Sequence, residues 1–572
     1  MTIEDYSNVT TDTSVTCELV VIGAGPAGIV TALEAARSGL DVVLIESGQQ
    51  NYQHAAQQLS AAASWDPARH APMPIATRRQ IGGTSTIWGG RCVPYDPIDF
   101  ADRPFVDAPP WPVSYEEMAQ YFQRACEWMV CGRAMFDSSG LPDAPPAIVP
   151  GLEDGDVTAS TLERWSLPTD FGLTYLDALK ATSRVRLMTG VTATQIVVPP
   201  EGGAASSLRA KTSAKGSLEL RAKAFVVACG GLEGTRLLMS SPGPRGGSLG
   251  DESGHLGRWY MAHAEGVIAD LHFSTRASDT VFGYELDSDG VYVRRRFAFT
   301  KEFQLEHGLP NIAGWITNPE IPDASHGSGS LSFVYLALRS PLGPKFAPDA
   351  QRLSLTGVNL PGTPYGGSAV SPVRDHLRNI ARQPLGTGRF ILDFGTKRLI
   401  ARHRKAPGFF IYNERNVYPM QYHGEHLPNP ASRVTLTRQT DELGRPMLDI
   451  DLRFSQADID GVIRAHQFWD SHLRSSGVGH LEYLYDDLGA AVDSRLGGGF
   501  HQVGTTRMST EPEDGVVDQN LAIHGVSNVF VASSSTFVTS GQANSTFMIV
   551  AFALRLADHL ADQLRTHTQL SG

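Results

Sequence analysis

Leu19 to Gly23 is a short apolar run that ends on glycine, and from Gly28 to Ser38 Ala and Leu recur at helical spacing until Gly39 stops them. A second apolar run, Val42 to Ile45, ends at Glu46. Strand, glycine turn, helix and strand in that order predict one right-handed βαβ unit with parallel strands. Ser114 followed by Glu117 has the pattern of a capping box and predicts a helix over Tyr115 to Met129. Val191 to Val198, Leu208 to Ala214 and Leu218 to Val227 read as consecutive strands, with the small residues Gly202 to Ser207 between the first two. The stretch Ala224 to Ala228 is apolar on both faces, which predicts a further strand of a buried sheet, followed after Gly230-Gly231 by a helix over Glu233 to Met239.

Between about Ser274 and Leu488 the pattern changes to short strands and long loops rich in Pro, Gly and aromatics. From Gly497 the glycine turns return, followed by the apolar run Asn528 to Ala532 and a helix over Thr546 to Leu564. A chain of 572 residues exceeds what one hydrophobic core supports, so at least two lobes are expected. The pattern divides them into a discontinuous nucleotide-binding lobe (residues 1–100, 205–273 and 489–572) and a substrate lobe (101–204 and 274–488).

Composition narrows the function classes. A hydrophobic fraction of 41% and a charged fraction of 19% fit a globular chain and exclude a disordered one. The net charge of −12 would repel a phosphate backbone, and the only dense basic run, Lys397-Arg398 to Arg402-His403-Arg404-Lys405, reads as a solvated surface stretch. No nucleic-acid partner is expected. No stretch approaches ~20 uninterrupted apolar residues, so no membrane span is expected. Met1 to Thr16 lacks the basic start and apolar run of a secretory signal. Cys17, Cys92, Cys126, Cys131 and Cys229 form neither a disulfide framework nor a paired metal box, and Cys126 and Cys131 read as small buried hydrophobes on a helix. The expectation is a cytoplasmic protein without a metal; the oligomeric state is left open.

Gly23-Ala24-Gly25-Pro26-Ala27-Gly28 matches G-x-G-x-x-G directly after a strand and at the start of a helix, the context in which backbone can approach a pyrophosphate. Glu46, 18 residues beyond Gly28, ends the second strand where a carboxylate can accept hydrogen bonds from a ribose diol. These residues predict an adenine dinucleotide but do not choose between NAD and FAD.

Three further segments resemble the glucose-methanol-choline (GMC) family of FAD-dependent oxidoreductases, in the family's order. They are Gly82-Gly83-Thr84-Ser85-Thr86-Ile87-Trp88-Gly89-Gly90; Ala228-Cys229-Gly230-Gly231-Leu232-Glu233 to Leu238; and the tail motifs His501-Gln502-Val503-Gly504-Thr505 and Gly541-Gln542-Ala543-Asn544-Ser545-Thr546. The resemblance implies a mixed fold, α/β plus α+β, with a Rossmann-type FAD-binding lobe and a second, antiparallel-sheet substrate lobe of the p-hydroxybenzoate-hydroxylase kind. It implies FAD held by Gly23, Gly25, Pro26, Ala27, Gly28, Glu46 and Ser47, by Gly83, Thr84, Ser85, Trp88, Gly89 and Gly90, by Val191, Cys229 and Gly230, and by Ser534, Asn544, Ser545 and Thr546. The chain is most similar to the branch acting on sugars, which includes pyranose oxidases and glycoside 3-oxidases. Two positions depart from the family: Ile87 stands where some members carry a histidine bonded to the flavin, implying non-covalent FAD, and Ser545 replaces the proline of the usual Asn-Pro-Thr.

Oxidising an alcohol removes a proton from oxygen and a hydride from carbon, and histidine is the side chain whose ordinary pKa suits the first task near neutrality. The resemblance places the catalytic histidine at His501 and its hydrogen-bonding partner at Asn544. His263 is a further histidine that could lie near the site. The implied reaction is oxidation of a secondary alcohol of a sugar or glycoside to a ketone, with O2 or a quinone-like acceptor reoxidising the flavin. Alternatives are an aminoglycoside or other secondary-metabolite oxidase, an NAD-dependent dehydrogenase, and a redox-inactive flavin-binding protein.

Overall fold

The computed structural model describes residues 3–141, 147–166, 169–281, 283–364, 369–401 and 404–570. Its central sheet has six strands in the order Glu4–Asp5, Val185–Thr189, Val42–Glu46, Leu19–Ile22, Ala224–Val227 and Val529–Val531, and every pairing is parallel. The strands Val42–Glu46, Leu19–Ile22, Ala224–Val227 and Val529–Val531 are buried along their whole length. Apolar side chains on both faces suit this position, because helices such as Pro26–Arg37 and Thr546–Leu570 cover the sheet and share its core. Parallel pairing also sends Gly23, Ala228 and Ala532 out of the same edge of the sheet, where an open α/β sheet binds its ligand.

The second large sheet is antiparallel throughout. Its order is Gly479–Tyr483, His263–Phe273, Val417–Glu425, Ile312–Ile316, Tyr292–Phe299, Val157–Trp165 and Arg91–Cys92, with Glu285–Leu286 pairing beside Tyr292–Phe299. The helix Gln456–Ser475 packs on it through Trp469 and Leu473, with the Trp469 ring stacked on Phe299 at 5.3 Å. The α/β and antiparallel halves predicted from the sequence are therefore both present. Two smaller sheets complete the chain, one of four strands built from Thr13–Thr16, Ser217–Arg221, Ser207–Thr212 and Val191–Val197, and one of three.

Several elements differ from the sequence reading. The predicted helix over Tyr115 to Met129 is two, Tyr115–Ala119 and Phe122–Trp128, because Tyr121 N–H closes a tighter turn on Met118 C=O. Ser114 Oγ accepts from Glu117 N–H, but the Glu117 carboxylate turns outward to Arg555 at 2.7 Å instead of completing the capping box. Cys126 and Cys131 are both buried, yet only Cys126 is helical.

The stretch 274–488 is not mainly strand and loop; it contains the helices Gly329–Arg339, Val373–Arg382, Pro384–Gly395 and Gln456–Ser475. Gly386, Gly388 and Gly395 mask the third of these, whose stability comes from packing on Gly329–Arg339 rather than from propensity. Three strands also cross the lobe division drawn from the sequence. Val185–Thr189, allotted to the substrate lobe, lies in the parallel sheet, and Arg91–Cys92 and His263–Phe273, allotted to the nucleotide lobe, lie in the antiparallel one. Arg402 and His403 of the basic run fall outside the described residues.

Candidate active site

Where the parallel strands end, an elongated cleft opens, with about 1330 Å³ of space between protein atoms counted to its mouth. Its floor is the glycine turn. Gly23 has φ +104°, and a Cβ there would stand 2.7 Å from Ala228 O; a Cβ on Gly28 would stand 1.8 Å from Gly23 O. Only glycine lets the turn and the helix start approach this closely. The helix Pro26–Arg37 begins at Gly25 with no side-chain cap and no acidic residue in its first turn, so its free N–H groups face the cleft. That is the donor set a pyrophosphate requires.

Glu46 sits beside it. Its Oε2 accepts from Ala24 N–H at 2.9 Å and its Oε1 from Gly48 N–H at 2.8 Å, which leaves lone pairs for a diol. Burial pushes this carboxyl up, while the two amides and Arg79 pull it down. Arg79 donates to Ser47 Oγ at 3.0 Å and pairs with Glu233 at 2.6 Å. These residues fit FAD: an uncapped helix start, a glycine floor no side chain could share, and a fixed carboxylate at the end of the second strand.

Of the residues assigned to the cofactor, Gly23, Gly25, Pro26, Ala27, Glu46 and Ser47 line the cleft, as do Gly83, Thr84, Val191, Cys229 and Gly230. Ser534, Ser545 and Thr546 close its far wall, where the helix Thr546–Leu570 begins. Gly28, Ser85, Trp88, Gly89, Gly90 and Asn544 are not among the lining residues. Ser85 Oγ donates to Gly82 O at 2.6 Å, and Trp88 Nε1 donates to Thr169 O at 2.8 Å, so both brace the glycine loop from behind. Gly89 and Gly90 lead into the strand Arg91–Cys92. Arg79, Thr192, Ala193 and Arg445 line the cleft without having been picked out in the sequence. Thr192 and Ala193 simply continue the strand from Val191, whereas Arg79 and Arg445 both pair with Glu233, a convergence with no local signature.

His501 also lines the cleft, and Asn544 Nδ2 stands 2.9 Å from its Nε2. The direction of this bond is fixed from behind. Arg91 Nη1 donates to Asn544 Oδ1 at 2.5 Å, so the amide must present its NH2 to the imidazole and His501 Nε2 must be the acceptor. A neutral His501 then carries its proton on Nδ1, which lies 2.9 Å from His263 Nδ1. His263 accepts there and donates its own Nε2–H to Ser540 O at 3.3 Å. The result is a one-way chain of donors from Arg91 through Asn544, His501 and His263 to a backbone carbonyl. Burial, then the neighbouring His423 and Arg91, push His501 down to about 4, and burial with the same neighbours holds His263 well below the ordinary histidine value.

Carboxylates stabilise the cations of this shell. Glu163, fully buried, binds Arg91 at 2.5 Å and Arg294 at 2.6 Å. Burial works to raise its carboxyl, but Arg294, Arg91 and Arg296 hold it down at about 2. Arg294 and Arg91 lie over the Trp315 ring at 4.1 and 4.8 Å. Behind His263, His423 Nε2 lies 2.9 Å from Glu265 Oε1, and its Nδ1 hydrogen bonds to the Gln542 carbonyl. Burial opposes ionisation of Glu265, and His423 outweighs it, so this carboxyl lies below its usual range.

His263, His423 and His501 bring ring nitrogens within 4.8 Å of one another, the spacing of a possible metal cluster. Their orientation suits hydrogen bonding better. The His263 and His423 rings are stacked at 4.5 Å with 26° between planes, and imidazole lone pairs lie in the ring plane, so the two cannot aim at one ion.

Residues 18–298 match the family described as FAD dependent oxidoreductase. The parallel sheet, the cleft and this match define an FAD-dependent oxidoreductase. Residues 428–553, which carry His501 and Asn544, match the family described as GMC oxidoreductase, and the chain belongs to the GMC-type FAD oxidoreductases, whose cofactor is FAD. It is 24% identical over 599 residues to paromamine 6'-oxidase of Streptomyces fradiae, covering 96% of this chain and 92% of that one. It is 23% identical over 615 residues to 2-methyl-1,2-propanediol dehydrogenase of Mycolicibacterium austroafricanum, covering 95% of each. A crystal structure of formate oxidase superposes with a TM-score of 0.52 at 14% identity, covering 96% of this chain and 99% of that one, a likeness of fold. Among the described residues no helix is long and apolar enough to cross a membrane.

Proposed function

We propose that this protein oxidises a secondary alcohol of a sugar, glycoside or aminosugar to the carbonyl, with His501 as the base and Asn544 as its partner. Bound in the cleft, FAD supplies the hydride acceptor. The observation that carries the reading is the bond between Asn544 Nδ2 and His501 Nε2 at the cleft wall. A substrate hydroxyl entering there would donate to Nε2 and accept from Nδ2, which replaces one hydrogen bond by two and holds the oxygen while its proton leaves. His501 is already neutral, and the His263 acceptor keeps its proton on Nδ1, so the lone pair on Nε2 is the one offered to substrate.

Oxidation of an alcohol on a small polyol or aminosugar is supported by the relatives, whose names describe a paromamine oxidase and a diol dehydrogenase, while the secondary position rests on the resemblance to the sugar-oxidising branch. Reoxidation by O2 is our first reading, with a quinone-like acceptor as the alternative. Ile87, which cannot form a bond to the flavin, supports non-covalent attachment. Incubating the purified protein with a panel of sugars, glycosides and aminosugars, and following flavin bleaching near ~450 nm anaerobically, tests the substrate class. Peroxide release against dye reduction separates the acceptors. Bleaching by none of the panel, or flavin that stays with acid-precipitated protein, would overturn the corresponding part of the reading.

A further inference from the structure

The helices Val373–Arg382 and Pro384–Gly395, the second continued by the π-turn Thr396–Ile400, lie on the outside of the substrate lobe. Their inner residues are polar and anchored: His376 Nδ1 lies 3.1 Å from Ser332 Oγ, and Asn379 Nδ2 donates to Ala324 O at 2.8 Å. Their outer faces are apolar and basic. Val373, Leu377 and Ala381, at i, i+4 and i+8, form an exposed stripe, and Arg374, Arg378 and Arg382 form a parallel stripe beside it. On the second helix Leu385 is 80% exposed and Leu392 71%, with Arg389 between them, and Ile400 beyond is 71% exposed.

Residues 370–405 carry nine Lys and Arg against Asp375 and Asp393, a local +7 in a chain whose total is −12. Asp393 pairs with Lys397 at 2.8 Å and Asp375 lies near Arg374 and Arg378, but among the described residues Arg382 and Arg389 have no carboxylate within ion-pair distance.

Large aliphatic side chains spread along a basic, amphipathic surface match the chemistry of an anionic bilayer, where leucines enter the headgroup layer and arginines meet lipid phosphates. A second copy of this chain is a poor occupant, since the patch itself, residues 373–400, carries six Lys and Arg against Asp375 and Asp393, and a two-fold contact through it would set +4 against +4. The acidic remainder of the chain would be repelled by the same bilayer, which fixes this face as the one turned toward it. We propose that the surface built from Val373–Arg382 and Pro384–Ile400 docks the protein on anionic lipid.

The test uses the full-length holoprotein and sedimentation with vesicles of phosphatidylglycerol and phosphatidylcholine, or of phosphatidylcholine alone. Co-sedimentation is expected with the anionic vesicles only, and it should fade as salt is raised. Each basic residue near such a surface strengthens binding about fivefold, so the triple variant Arg374→Glu, Arg378→Glu, Arg382→Glu should bind at least 100-fold more weakly. Leu385→Gln with Leu392→Gln should also weaken binding, while both variants keep their flavin absorbance and turnover of soluble substrate. Absence of binding to anionic vesicles, equal binding to neutral ones, or self-association of the wild type that the triple variant abolishes would each overturn the proposal.

Discussion

Asn544 and His501 are 43 residues apart in the chain and 2.9 Å apart in space, and the side chain that decides the direction of their bond, Arg91, comes from the far edge of the antiparallel sheet. The proposed catalytic pair belongs to the tail of the chain, whereas the side chain that orients it belongs to the antiparallel sheet. The expected effects of substitution therefore differ in kind according to which side of this junction is touched.

Replacing His501 by Ala removes the proposed base but none of the cleft floor. Flavin should remain bound, and the rate of flavin reduction by substrate should fall by about 100-fold to 10,000-fold, the usual contribution of acid–base catalysis. Rapid-mixing absorbance under anaerobic conditions reads this directly. Reduction at the wild-type rate would remove His501 from the mechanism.

His263 acts through His501 and is a positioning residue. His263→Phe takes away the acceptor for Nδ1–H, so the imidazole gains nothing from keeping its proton there, and kcat should fall at least 10-fold with little change in KM. His263→Asn, which still offers a carbonyl oxygen, should recover part of the loss. Equal losses in both variants would indicate packing alone.

The depressed value of His501 sets the pH window. In the proposed mechanism the neutral form is the active one, and protonation occurs only near its lowered value of about 4, not at the ordinary 6.5. Activity should thus be nearly flat from neutrality down through pH 6 and decline as pH approaches 4. A kcat/KM profile with its acidic limb centred at or above 6.5 would contradict this environment.

The sequence disclosed what is local. The first strand, the glycine turn and the strand ending at Glu46 were legible because each uses adjacent residues, and His501 and Asn544 were legible through resemblance to a family motif. Arg91, Glu163, Glu265 and His423 were not. Glu265 and His423 are direct cross-strand partners, as are Glu163 and Arg294, and such pairs exist only once the register of the antiparallel sheet is known. His263 was noticed as a histidine near the site, but its role depends on the tautomer that Arg91 and Asn544 impose from elsewhere. The helical part of the substrate lobe was hidden by glycines that packing tolerates and propensity does not.

Gly25 and Gly28 share one motif but should fail differently. A Cβ on Gly25 finds its nearest neighbour, Gly83 Cα, at 3.9 Å, so Gly25→Ala should fold and lose FAD affinity because the methyl occupies the cleft. A Cβ on Gly28 would overlap Gly23 O at 1.8 Å, so Gly28→Ala should fail to fold or melt far earlier. Flavin content and the melting temperature of flavin-stripped protein separate the two; loss of both properties together in Gly25→Ala would refute the distinction.

Glu163→Gln tests whether the antiparallel sheet orients the proposed catalytic pair. The carboxylate is fully buried between Arg91 and Arg294, which are themselves mostly buried, so its neutralisation leaves two guanidinium groups without a counter-charge. Breaking a buried pair in this way costs about 3–5 kcal/mol, and denaturant unfolding should show a loss of that order. Arg91 would also be freer to leave Asn544, which loosens the amide that aims His501 Nε2. Turnover should fall along with stability, while Arg294→Lys, which removes the partner remote from Asn544 yet keeps a positive charge, should lower stability more than turnover. If Glu163→Gln lost stability and kept full turnover, the Arg91 contact would be structural only, and Asn544 would hold its orientation without it.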